Sequence, residues 1–135
     1  MRRLSQAGWL TVERTGRGVT RASAWVVAAI AEAAADDVDG VHRVGTSFGR
    51  LLDALREAMP AGKGERTATG GTAYEVGDNE VAVEIDVVVD YGTPIPDIAA
   101  LIRRDVRAEV ESLTGLHVRE VDIEVTGARF PHPSS

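Results

Sequence analysis

The chain has 135 residues, 44% of them hydrophobic and 27% charged, the size and make-up of one globular domain. It has no cysteine, which excludes disulfides, thiol nucleophiles and cysteine-based zinc sites and fits a reducing, cytoplasmic setting. The net charge of −6 is uneven: Arg2, Arg3, Arg14, Arg17 and Arg21 against Glu13 give residues 1–21 a net +4, leaving an acidic body at −10 that repels phosphate backbones.

Residues 1–17 read as a flexible basic arm, because the five arginines scattered over residues 1–21 are not a polybasic cluster. The stretch "LSQAGWLTVE" lacks the sustained apolar run of a signal peptide. Residues 20–37 predict a helix that Thr20 or Ser23 can cap and that Gly40 releases. Its apolar positions (Ala24, Trp25, Val26, Val27, Ala28, Ala29, Ile30 and Ala31) run almost all the way round, as in a helix covered on more than one side. A bilayer span needs about 20 residues, and "ASAWVVAAIAEAAA" is shorter and contains Ser23 and Glu32, so direct membrane insertion is not expected.

After Gly40, "VHRVGT" is a short strand candidate. Phe48, Leu51, Leu52, Leu55 and Met59 fall at helical spacing over 48–59, and residues 60–72, rich in Gly and Thr, predict a mobile loop. "TAYEV", a Gly77-Asp78-Asn79 turn and "EVAVEIDVVVDY" predict a hairpin. In its second strand Val81, Val83, Ile85, Val87 and Val89 point inward, while Glu80, Ala82, Glu84, Asp86, Val88 and Asp90 point outward. Gly92 and two prolines then turn the chain into a helix over 96–113, with Ile98, Leu101, Ile102, Val106, Val110 and Leu113 in one stripe and Gly115 as its left-handed cap. "HVREVDIEVTG" is the last strand, with Val121, Ile123 and Val125 inward and Glu120, Asp122 and Glu124 outward.

The expected fold is α+β, a two-layer sandwich with a three- to four-stranded sheet and helices on one face. The expected layout is the arm at 1–17, a single domain at 18–127 and a tail at 128–135.

Asp90 beside Tyr91 is raw material for a general base, but neighbouring strand residues point to opposite faces, which favours a plain turn. The two outward acidic rows are more informative. Like charges directly opposite on adjacent strands destabilise a sheet, so either another strand separates the rows or something positive covers them. A solvated face is the first reading, a partner surface the second, and a hard-cation site the last, since alternate strand residues lie about 7 Å apart. His42, His117 and His132 have no metal-ligand spacing. No catalytic residue, cofactor or metal site is assigned. The candidate interaction surface comprises Trp25, Val26 and Ile30 on the first helix and Glu84, Asp86, Asp90, Glu120, Asp122 and Glu124 on the sheet. Trp25, Val26, Val27 and Ile30 cannot all face one sheet, so the helix is expected to meet another chain, with the 48–59 helix as the competing cover.

Two segments, "VTRASAWVVAAIAEAAADDVDGV" and "VAVEIDVVVDYGTPIPDIAALIRRDVRAEVESLTGLHVREVDIEVTG", carry a resemblance. The features are Val26-Val27, Ile30-Ala31, Gly40-Val41, Asp90-Tyr91-Gly92, Ile95-Pro96, Val110-Glu111, Thr114-Gly115-Leu116 and the alternating Val118, Val121, Ile123 and Val125. In this ordered set, over residues 18–127, the chain resembles the alkaline shock protein family of bacterial envelope stress proteins. The resemblance implies a cytoplasmic, non-enzymatic protein of cell-envelope stress and homeostasis. It also implies a place near the membrane through a membrane-anchored protein partner, self-association, and no small-molecule substrate. The chain departs from the family in its single lysine, in Trp25 within the first helix and in a loop at 60–72 poor in apolar residues. A nucleic-acid-binding module is the alternative, although it needs a basic groove or exposed sheet aromatics. A carboxylate or metal-dependent enzyme is the third reading.

Overall fold

A hairpin, not an arm, leads into the first helix. In the computed structural model, which describes residues 8–42 and 70–130, strands β1 (Trp9–Thr15) and β2 (Gly18–Ser23) pair antiparallel around a turn at Gly16 and Arg17. The arm expected over 1–17 is therefore structured from Trp9 onward, and the helix expected from residue 20 starts four residues later. The physical reason lies in alternation: Leu10, Val12 and Ala22 turn inward onto the core, and Leu10 is almost fully buried. A seven-residue strand with a buried Leu recovers ordering entropy that a free arm would keep.

Ser23 ends β2 and caps helix α1 (Ala24–Asp36), its Oγ accepting the Trp25 N–H at 3.0 Å. Val27, Ala28, Ala31 and Ala35 form the buried side of α1. Small alanines on that side let α1 lie close to both the sheet and the second helix, and it packs against each. Gly40, at φ 100°, then swings the chain so that Val41 bridges to Val89 and the Asp90 N–H donates to the Gly40 carbonyl at 2.7 Å. Of the "VHRVGT" strand candidate only this bridge falls within the described residues; the helix expected at 48–59 and the loop expected at 60–72 lie outside them, except that residues 70–72 already belong to a strand.

The main sheet has three strands in the order β3 (Gly70–Gly77), β4 (Glu80–Asp90) and β5 (His117–Arg129). β3 and β4 are the expected hairpin, closed by Asp78 and Asn79, with Asn79 at φ 61°. β4 is the central strand, and Val81, Val83, Ile85, Val87 and Val89 on its inner face are all buried. Helix α2 (Ile95–Thr114) follows, with Pro96 in its first turn and Gly115 as a left-handed cap at φ 78°. Ile98, Ile102, Val106 and Val110 bury its inner stripe, whereas Leu113, expected in that stripe, is 62% exposed. At the end of α2 the buried Thr114 hydroxyl donates to the Val110 carbonyl at 2.6 Å and accepts the Leu116 N–H at 3.0 Å, carrying the chain tightly from helix to strand.

Because α2 is the crossover, β5 returns parallel to β4. Side chains of α2 reach β5: Glu111 Oε2 accepts the Val118 N–H at 2.8 Å, Arg107 donates to the Val118 carbonyl at 3.2 Å, and Arg103 donates to the Val121 carbonyl at 3.2–3.3 Å. The outer edge of β3 pairs with no described strand. Both helices cover the inner face of the sheet, so the expected α+β architecture holds, with the additional hairpin beside it.

Candidate interaction surfaces

The acidic rows stand next to each other. The parallel register sets Glu84 across from Asp122, Asp86 across from Glu124 and Ala82 across from Glu120. Of the two conditions expected for such rows the first does not hold, since no strand separates them; among the described residues the cation paired with an outward carboxylate of this face is Arg119, at Glu80. Solvent explains the tolerance. Glu84, Glu120, Asp122 and Glu124 are exposed, and two charges about 5 Å apart in water repel by only about 0.8 kcal/mol. Salt reduces that further.

Two hydroxyls also join this face, and sequence reasoning passed over them. The register of β3 on β4 sets Thr72 across from Glu84 and Tyr74 across from Ala82. Thr72 donates to Glu84 Oε1 at 3.5 Å and Tyr74 donates to Oε2 at 3.3 Å. Counting back from the Asp78-Asn79 turn would have found both residues on the outward side. Burial raises the Tyr74 phenol above its ordinary range, and the charge of Glu84, the hydrogen bond to it, and then Asp122 and Glu120 act in the same direction.

That shift predicts an alkaline effect on stability. A phenol held protonated in the fold contributes stability fully below its unfolded value of about 10, and the contribution is lost as pH rises through the higher folded value. Tyr74→Phe is therefore expected to lose less stability than the wild type between pH 10 and the folded pKa, with the two curves parallel at neutral pH. Urea unfolding across that pH range checks it.

Asp90 sits apart from these rows, across from Arg129 at the end of β4. The joint that follows is held by backbone: the Tyr91 N–H donates to the Arg129 carbonyl at 2.8 Å, and Gly92 turns at φ 104°. The Tyr91 ring is exposed and packs on Phe130 at 4.7 Å between centroids, which makes the Asp90-Tyr91-Gly92 segment a turn with an aromatic clasp. Among the described residues, no group of three or more His, Asp or Glu is placed to hold a metal ion.

The apolar candidates form a second surface. Trp25 and Val26 are 52% and 42% exposed, while Ile30 is half buried against the core. At the first turn of α1 the Trp25 ring lines a shallow cavity with Ala28, Gly71 and Ala73, and the competing cover, the helix expected at 48–59, lies outside the described residues. Thr72, which donates to Glu84 on the sheet face, also lines the Trp25 cavity, so the two surfaces approach each other at the edge of β3. No helix among the described residues is long and apolar enough to cross a membrane.

Comparison with known proteins adds a family. Residues 12–130 match the model of the alkaline shock protein 23 family, described as having a cell envelope-related function. The chain is 26% identical over 118 residues to the uncharacterized protein YqhY of Bacillus subtilis, covering 87% of this chain and 82% of that one. It is 31% identical over 120 residues to the uncharacterized protein YloU of the same organism, covering 89% and 96%. A stress response regulator gls24 homolog of Streptococcus pyogenes is 34% identical over 101 residues, 74% of this chain but 52% of the regulator, so the chain spans about half the length of that relative. No solved structure gives a significant match. With nearly the whole described fold inside the matched range, the chain belongs to the alkaline shock protein 23 family, a family of cell envelope-related function.

Proposed function

We propose that the protein is a non-enzymatic component of the envelope stress response that acts by binding another protein at the inner face of the cytoplasmic membrane. The observation that carries this reading is the open face of the sheet. Helices cover the other face, and this one presents Glu84, Asp86, Glu120, Asp122 and Glu124 in register, a field suited to a basic segment of a membrane-anchored partner. The same carboxylates disfavour a nucleic-acid module, whose sheet would need cations or exposed aromatics. Membership of a cell envelope-related family and likeness to a stress response regulator agree with the reading.

The test is affinity capture from native membranes, with the wild type and a Glu84→Gln, Asp122→Asn, Glu124→Gln variant side by side. A membrane protein with a basic cytoplasmic segment, retained by the wild type and lost by the variant at unchanged melting temperature, is the expected outcome. Equal retention by both would remove the sheet face from the reading.

A further inference from the structure

Both tryptophans of the chain stand at one junction, and Arg14, Arg17 and Arg21 lie along the hairpin that leads into it. Trp9 opens β1 across from Ser23, and Ser23 in turn caps α1 at Trp25. The Ala24 N–H donates to the Gly8 carbonyl at 2.6 Å, which ties the start of the hairpin to the start of the helix. The two indoles therefore flank a single residue, with their Cα atoms within about 13 Å. They are 49% and 52% exposed; Val26, next to Trp25, is 42% exposed, and Val19, toward the turn of the hairpin, is 48% exposed.

Strand alternation assigns the charges. Ala22 faces the core, so Val19, Arg21 and Ser23 face away from it, together with their cross-strand partners Arg14 and Trp9. Arg17 occupies the turn of the hairpin, and Glu13, its one described carboxylate, pairs with Thr20 on the opposite side. The outer face of the hairpin is thus aromatic, aliphatic and cationic together, in a chain that is otherwise acidic.

That combination has a specific chemical match. An indole has an apolar body and a polar N–H, and it favours the boundary between lipid headgroups and acyl chains. Guanidinium groups bind phosphate oxygens and are drawn to a negative surface potential. Nucleic acid offers phosphates too, but no continuous apolar boundary to receive Trp9, Val19, Trp25 and Val26. We propose that the β1–β2 hairpin and the first turn of α1 form a peripheral docking surface for an anionic lipid bilayer, with Trp9 and Trp25 at headgroup depth and Arg14 and Arg21 on lipid phosphates. The contact lies on the bilayer and does not span it, and it is independent of any protein partner on the acidic sheet face.

Tryptophan emission of the full chain reports on this surface alone, since the chain has two tryptophans and both are in it. Vesicles of phosphatidylcholine mixed with phosphatidylglycerol are expected to shift that emission to shorter wavelength and to sediment the protein. Phosphatidylcholine alone is expected to do neither. Arg14→Glu with Arg21→Glu should weaken binding about tenfold or more, since each cation near an anionic surface contributes roughly a fivefold factor. Circular dichroism checks that the variant is folded, and Arg14→Gln with Arg21→Gln provides a milder pair if it is not. No shift with anionic vesicles, or a shift undiminished by either pair, overturns the proposal. So does tighter binding of a single-stranded oligonucleotide than of vesicles, which would assign the surface to nucleic acid. Pure lipid contains no protein, so failure here leaves the partner reading of the sheet face standing.

Discussion

Ile102→Ala is expected to lower the unfolding free energy by about 2–5 kcal/mol, the largest loss of any single truncation on α2. Ile102 is fully buried in the middle of the stripe that holds α2 on the sheet, between Ile98 and Val106. Alanine there removes the transfer free energy of three carbons and leaves a cavity that a close-packed β-branched layer closes poorly. A domain of this size is stable by only about 5–15 kcal/mol, so the variant will melt well below the wild type. Leu113→Ala is the control on the same helix: at 62% exposure it should change stability by roughly 0.5 kcal/mol or less. Urea denaturation of both variants checks the contrast. Equal losses would mean that the inner stripe does not set the stability of this layer.

Gly40→Ala ranks second, and its origin is backbone rather than burial. Gly40 turns at φ 100°, where a side chain costs about 1–3 kcal/mol. A Cβ there would also meet Ile98 Cδ1 at 3.2 Å and Cγ1 at 3.3 Å, pushing on α2. Gly92→Ala separates the two causes, because Gly92 has nearly the same φ, 104°, and open space where its Cβ would go. Both variants are expected to be destabilised, Gly40→Ala by more, and the difference measures the Ile98 contact. Thermal melts of the pair check it; an equal loss in both would leave only backbone strain.

How far the sequence reaches depends on which force sets each element. β4, α2 and β5 were legible because their apolar period is strict. Val81 to Val89 alternate, Ile98 to Val110 recur at helical spacing, and Pro96 and Gly115 mark the ends of α2. The β1–β2 hairpin was hidden by its arginines. Its pattern was present in Leu10, Val12, the Gly16-Arg17-Gly18 turn and Ala22, but Glu13, Arg14, Arg17 and Arg21 interrupt it, so the segment reads as a tail. α1 was legible as a helix and not in its start, because Ser23 and Thr20 are both competent caps and only strand pairing chooses between them. Periodicity correctly put the acidic residues on one outward face. It could not say that the two rows are neighbours, since strand order is set by the α2 crossover and not by any local signal.

The three backbone groups of β5 that Glu111, Arg107 and Arg103 occupy bear on how the sheet could be extended. An open strand edge is a template for a further strand. Between Val118 and Val121 the β5 edge is already taken by side chains of α2, so a strand added there would first have to displace a carboxylate and two guanidinium groups. The outer edge of β3 meets no described strand, so the two sides of the sheet differ in what a newcomer would have to remove.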